Sequence, residues 1–312
     1  MNEKSLNEVV KEIVENPGMS VATKRRVLVE AVGLTRVEAL WLTRGLSVPR
    51  TPRTPREVLK YTFGVEIECF VAHDSVAGRL VSNNVRYAYE GYNHHDSHEV
   101  YRFVTDGSLS GAAHPIECVS PVLEGGTKGF NSLKKVCKSL TEAGATVNRT
   151  TGLHVHIGAS DITSEHFANV FVNYAYLERV IDTFMAPSRR GSANGYCKSI
   201  VGKVENCHTR EDVFRAYTGY TNPPSHLWRS ASRYHKVNCM SYLGHKTIEF
   251  RQHGGTVNYT KIKNWVEFLS RLVAWSKDNR LTAPVESIDD IKFLTPAQKT
   301  YFKGRASELA GL

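Results

Sequence analysis

Three short stretches of the sequence set like chemistry on alternate residues. In FGVEIECF (63–70), Glu66 and Glu68 alternate with Phe63, Val65, Ile67 and Cys69. In an extended chain the two carboxylates share a face about 6.6 Å apart, a spacing that suits neighbouring cations or opposite sides of one charged ligand. In GLHVHIGA (152–159), His154 and His156 share one face while Leu153, Val155 and Ile157 take the other. Two imidazoles at i and i+2 form a metal-binding or phosphate-binding pair. In TIEFRQ (247–252), Glu249 and Arg251 stand together opposite Ile248 and Phe250, and PIECVSPV (115–122) adds Glu117 between Ile116 and Cys118, after the turn Asp106-Gly107-Ser108.

Each stretch alone has a plainer reading: a solvated strand face, two surface histidines, an ion pair. Four such strands side by side would instead make a sheet with one apolar face and one face carrying Glu, His and Arg. Glu66, Glu68, Glu117 and Glu249 would repel one another there, so their convergence implies bound Mg²⁺ or Mn²⁺. Oxygen-rich ligation favours Mg²⁺, and the histidines admit Mn²⁺. Such ions usually accompany phosphate chemistry. Neither a Walker sequence nor GxGxxG is present, which excludes a P-loop or Rossmann nucleotide site.

The elements that must position these residues follow from periodicity and punctuation. Residues 5–15, 20–32 and 35–44 read as short helices, the last with a Thr35–Glu38 capping box. They form a packed helical module, with a DNA-reading helix-turn-helix as the alternative. SVPRTPRTPRE (47–57) is an extended connection rich in Pro and Arg, which sets the boundaries at 1–46, 47–57 and 58–312. Beyond it, helical patterns at 127–143, 164–185, 209–217, 260–277 and 295–303 alternate with the strands. The expected class is α+β: a curved, mainly antiparallel sheet with helices on its convex side and an open concave active face, preceded by the small helical module.

Composition agrees with a folded globular protein. The 312 residues are 41% hydrophobic and 23% charged, which excludes a collagen-like, low-complexity or wholly disordered chain. No apolar run reaches the roughly 18 residues of a membrane helix and the chain opens without a signal-like stretch, so the expectation is a cytoplasmic protein with no membrane partner. The six cysteines form no CxxC pair and read as reduced, buried small hydrophobes. The net charge of +9 is segregated: +4 over residues 1–60, −5 over 61–185, +7 over 186–254 and +3 over 255–312. An acidic stretch followed by a basic one suits a site where carboxylates hold cations and cations hold phosphates; a generic basic surface gives the same totals.

FGVEIE (63–68), DGS (106–108), IECVSP (116–121), GLHVHIG (152–158), RYHKVN (233–238) and TIEFRQHGGT (247–256), in this order, resemble the amidoligase family. Its members are carboxylate-amine ligases found in bacterial and phage genomes, with a fold similar to glutamine synthetase and gamma-glutamylcysteine synthetase. The resemblance spans about residues 60–270. It implies that Glu66 and Glu68 serve different metal ions, that Glu117 is a further ligand, that His154 binds metal and His156 contacts phosphate, and that Glu249 completes one metal shell. It makes Arg251 the neutraliser of the transferring γ-phosphoryl and sets Arg233 and Asn238 near nucleotide or substrate. Arg189 and Arg190, in the loop PSRRGSANGYCKS (187–199) with its two glycines, would close over the ATP phosphates, with a mobile basic loop as the alternative.

The implied reaction joins a carboxylate substrate to an amine substrate through an acyl phosphate, the amine being an amino acid, peptide, protein side chain or modified nucleobase. His156 and Glu117 are among the candidates for the base that deprotonates it. Arg44, Arg50, Arg53 and Arg56, with no acid among them, suggest that residues 1–56 dock a macromolecular substrate. A metal-dependent hydrolase using the same cradle, and a nucleic-acid-binding protein using the basic surface, are the alternatives. His94, His95 and His98 near Asp96 read as a polar loop, with a second metal site as the other possibility.

Overall fold

The computed structural model describes residues 6–33, 39, 42, 43, 59–91, 99–105 and 107–311. The chain divides into two compact units, 1–57 and 58–312. In the first, helices α1 (Leu6–Glu15) and α2 (Val21–Glu30) contribute Ile13 and Leu28 to a small core that also holds Ala39. The Ser20 hydroxyl accepts the Thr23 N–H and caps α2. Lys24 is buried and donates to the Val14 carbonyl at 2.7 Å, which ties the two helices together. Most of the expected helix 35–44, the connection 47–57, the His94/His95/His98 loop and Asp106 lie outside the described residues.

The second unit is α+β. Strands β1 (Phe63–Phe70), β2 (Tyr87–Gly91), β3 (Tyr101–Val104), β4 (Pro115–Val119), β5 (Gly152–Gly158), β6 (Val237–Asn238) and β7 (Thr247–Gly254) form one sheet in the order β2-β3-β4-β1-β5-β7-β6. Every neighbouring pair is antiparallel except β2 with β3. The four strands with alternating chemistry are therefore consecutive in space, β4-β1-β5-β7, at the centre of the sheet. Strands β2 and β3 flank this group on one side and the two-residue β6 on the other.

Helices α3 (His73–Ser82), α4 (Thr127–Glu142), α5 (Ser164–Thr183), α6 (Arg210–Thr218), α7 (Ser241–His245), α8 (Tyr259–Trp275) and α9 (Pro296–Leu309) complete the unit. The inward strand residues share one core with α4, α5 and α8. Phe63 stacks on Phe130 of α4 at 5.1 Å between ring centres, and Phe250 meets Tyr174 of α5 at 5.6 Å. Each such ring contributes about 1.5–3 kcal/mol by burial. Local signals hold where they are strong: Thr209 and Asp212 form a capping box on α6, as Thr295 and Gln298 do on α9. Helix α9 runs on past Gly304 to Leu309, beyond the residue 303 expected from the sequence, and buries Leu309 at its end.

One irregularity matters to the site. The β5/β7 register shifts between Leu153 and Val155, so that Phe250 faces Val155 while His253 faces Leu153. The extra residue in β7 is a β-bulge. Arg251 stays on the polar face of the sheet, and Gln252 turns under it toward α5, where it accepts the Tyr174 hydroxyl proton.

Candidate active site

Because side chains alternate and strands pair in register, the polar residues fall into rows across the sheet. Glu68 faces Glu117 across β1/β4, and Glu66 faces His154 across β1/β5. His156 faces Glu249 across β5/β7, and Glu249 faces Asn238 across β6/β7. A slip of one residue in any strand would send its members into the core.

His154 is the hub. Its Nδ1 lies 2.8 Å from Glu66 Oε2 and 3.7 Å from Glu249 Oε1, while its Nε2 lies 3.6 Å from Glu68 Oε1. Two clusters result, Glu66–His154–Glu249 and Glu68–Glu117–His154, in each of which one ligand atom per residue lies within 4.8 Å of the others. The two glutamates of β1 thus belong to different clusters. The donor sets, two carboxylates and one imidazole nitrogen each, fit hard divalent cations such as Mg²⁺ or Mn²⁺.

Neighbouring groups brace the cluster. Glu66 also reaches His156 Nε2 at 3.2 Å, and His156 Nδ1 is held by Thr247 Oγ1 at 2.9 Å. Asn238 donates to Glu249 Oε2, with its own Oδ1 fixed by the Met240 N–H at 2.8 Å. The Gly152 N–H donates to Glu68 Oε2. Burial pushes the Glu66 carboxyl up, but hydrogen bonds from His154 and His156 outweigh it and hold Glu66 well below the ordinary carboxylate range. For Glu249, burial is likewise outweighed by the Arg251 charge, and the carboxyl stays ionised. His156 is raised: burial disfavours its cation, and the bond to Glu66 more than compensates. His245 stands edge-on to His156 at 6.2 Å and is lowered by burial and by the His156 charge.

Arginines flank His154. Arg251 Nη1 lies 2.5 Å from Glu249 Oε1 and 3.5 Å from His154 Nδ1. Its guanidinium sits 6.0 Å from the Tyr234 ring, which Arg233 covers from 5.0 Å; Tyr196 packs edge-on to the same ring. Arg189 is buried and donates to the Thr151 carbonyl at 2.6 Å. Its Nη1 lies 3.4 Å from the point where a side chain on Gly152 would begin, which is itself 3.0 Å from His154 Nε2. The structure does not bring Arg190 to this cluster: its Nε and Nη2 hold the carbonyls of Met185 and Leu309, each at 3.0 Å.

Several contributors escape a sequence reading. Thr247 was within reach of it, two residues before Glu249 on the same face. Gly152 acts through its backbone and leaves no side-chain signal. All six cysteines are free and buried, and burial pushes Cys69 and Cys137 up to about 12, far from a nucleophilic thiol at neutral pH. Among the described residues, no helix is long and apolar enough to cross a membrane.

An open, mostly antiparallel sheet thus gathers carboxylates, imidazoles and arginine on one face, where Glu68, Glu117, His154 and Glu249 are buried together. Residues 59–273 match the family described as "Putative amidoligase enzyme". The chain belongs to this family of ligase-type enzymes, whose substrates are the two groups to be joined. No curated protein sequence matches the chain.

Proposed function

We propose that the protein is an ATP-dependent ligase that joins a carboxylate to an amine. The observation that carries this reading is the pair of acidic clusters sharing His154, with Arg251 beside the first of them. A carboxylate is a poor electrophile because its leaving group would be oxide. Transfer of the ATP γ-phosphoryl to one carboxylate oxygen, with ADP leaving, gives an acyl phosphate. Attack of the amine nitrogen on the acyl carbon then expels inorganic phosphate and forms the amide, the amine losing one proton.

Glu66 and Glu249 would hold one divalent ion and Glu68 and Glu117 the other, with His154 giving its one ring lone pair to either of them. Bound there, the ions supply Lewis-acid stabilisation of phosphoryl charge. The chain itself contributes orientation and electrostatics. Arg251 presents its guanidinium beside Glu249, where it can pair with phosphoryl oxygens. Asn238 and Thr247 fix the rotamers of Glu249 and His156. Arg233 and Tyr234 line the approach to Arg251 and are proposed as nucleotide or substrate contacts. Glu117 and His156 are the groups of the face proposed to accept the proton of the amine. Residues 1–56 are proposed to dock a macromolecular substrate; deletion of them should weaken turnover of such a substrate and leave ATP binding intact.

Thermal shift with Mg²⁺ and ATP or AMPPNP on the full-length protein tests the reading. Nucleotide should raise Tm only with the metal, and Arg251→Ala and Glu66→Gln should both lose the gain. Hydroxylamine added with ATP and a carboxylic acid panel should trap acyl phosphate as hydroxamate. A wild type that is indifferent to nucleotide at saturating metal refutes the proposal and favours a hydrolase or a nucleic-acid binder.

A further inference from the structure

Beneath the active face lies a second polar cluster that the ligand assignments leave unused. Lys236 has no solvent exposure, and its ammonium is held by Glu178 Oε1 at 2.9 Å and Asp182 Oδ1 at 2.6 Å. Gln252 donates to the same Asp182 oxygen at 2.5 Å and accepts from the Tyr174 hydroxyl. Tyr174, Glu178 and Asp182 occupy positions i, i+4 and i+8 of α5 and form one stripe of the helix.

Every free valence of this cluster runs to a segment that carries an active-face arginine. The Lys236 carbonyl accepts the Arg251 N–H at 2.8 Å, and the Lys236 N–H donates to the Lys198 carbonyl at 2.8 Å. Gln252 Nε2 also donates to the Arg189 carbonyl at 3.2 Å. Asp182 Oδ2 accepts the Gly191 N–H at 2.7 Å, and Glu178 Oε2 accepts the Ile200 N–H at 3.0 Å. Strand alternation makes the link direct, since it aims Arg251 up at Glu249 and Gln252 down at Asp182 from adjacent residues.

A buried ion pair is a poor source of stability. Desolvating Lys236 and Glu178 costs about as much as their attraction returns, and an apolar cluster of equal volume would hold helix to sheet at least as well. What the ions and amide add is direction: fixed donors and acceptors that fix where two backbone segments lie. We propose that Lys236 and Gln252 are positioning residues that set Arg251, together with the Arg189 segment, at the height of the phosphoryl group above the sheet. This inference rests on the ligase reading, because it gives Arg251 an oxyanion to meet.

The test is a double-mutant cycle on the full-length protein. Mg–AMPPNP affinity is measured by calorimetry for wild type, Gln252→Met, Arg251→Gln and the double variant, at a temperature at which melting curves show all four folded. Gln252→Met keeps the volume and removes the hydrogen bonds to Asp182 and to the Arg189 carbonyl. It should weaken AMPPNP about tenfold, leave Mn²⁺ affinity within about twofold, and add little once Arg251 is gone. Glu178→Gln, a milder change in the same cluster, should show the same pattern. Wild-type AMPPNP affinity in Gln252→Met, or losses that simply add to those of Arg251→Gln, would overturn the positioning role. A wild type that binds Mn²⁺ and no AMPPNP would overturn the ligase reading, and this role with it.

Discussion

Gly152 offers a perturbation whose size can be worked out from the site. It sits in a strand with no left-handed backbone, so alanine brings no conformational strain. A methyl group there would begin 3.0 Å from His154 Nε2, 3.3 Å from Glu68 Oε2 and 3.4 Å from Arg189 Nη1. An ion held by that nitrogen and that oxygen lies roughly 2.1 Å from each. Those contacts are tighter than ordinary van der Waals packing, so relief requires His154 or Glu68, both proposed ligands, to retreat by a few tenths of an ångström. Shifts of that kind in metal-site geometry typically cost 10–100-fold in affinity, or about 1.4–2.7 kcal/mol. Gly64 is the control. It lies on the same face, yet a methyl there meets nothing nearer than the Ser120 hydroxyl at 3.7 Å. Calorimetric titration of the metal-stripped protein with Mn²⁺ should give two sites in wild type and Gly64→Ala, and one strong site in Gly152→Ala, with metal-free melting temperatures alike. If Gly152→Ala binds both ions as tightly as Gly64→Ala, the second cluster is not a metal site and the two-ion cradle is wrong.

Two further outcomes follow from the same geometry. The stability that Glu66 contributes through its lowered carboxyl is present above the ordinary value of 4.5 and fades as pH falls through the depressed one; that of His156 is complete below 6.5 and fades as pH rises through its raised value. Melting of the metal-free protein should thus be highest between those limits and decline on both sides, whereas the gain from Mn²⁺ should grow with pH as ligation displaces imidazole protons; a gain that shrinks with pH contradicts the ligand set. Lys236→Met leaves Glu178 buried without its cation and should cost about 3–5 kcal/mol in urea unfolding, most of which Lys236→Met/Glu178→Met restores; a single variant as stable as wild type would mean that the ions are solvated.

The central strands were legible because each carries a full period-2 pattern. In β1 and β5 the apolar and polar residues alternate without exception over the stretch that matters, and register then sets Glu66 opposite His154. The edge strands were not legible: β6 is two residues long, and β2 pairs parallel with β3, a contact no local pattern announces. Helix α3 begins with no side-chain cap and contains Gly78, so HDSVAGRLVS lacks both start signal and propensity. The site shows the same division. The alternating side chains of the four strands do fall on one face, whereas Arg190 lies elsewhere, and the Gly152 N–H, the bulge at Arg251–Gln252 and the Lys236 cluster arise from tertiary pairing. Glu178 and Asp182, two acids four residues apart on one helix, are the sequence trace of the charged cluster beneath the sheet.

The cluster also explains how four carboxylates share a face before any cation arrives. Glu66 has two imidazoles, Glu249 has Asn238 and Arg251, and Glu68 has a backbone N–H from β5. Those donors hold the three acids in fixed rotamers, and the ones on Glu66 and Glu249 also keep those carboxyls ionised, so the proposed ligands are set in advance. They differ in what they can yield. The imidazoles can surrender a proton and turn the same nitrogen from donor to ligand, whereas Asn238 and the Gly152 N–H can only donate and remain as outer supports. Arg251 does neither: it stays charged, burial notwithstanding, because Glu249 and Glu66 lie beside it. An ion taking Glu249 Oε1 would loosen its hold on that guanidinium and free it to meet an arriving oxyanion. Metal binding and phosphate binding should therefore be cooperative in wild type and lose that coupling in Arg251→Gln, even where each ligand alone still binds.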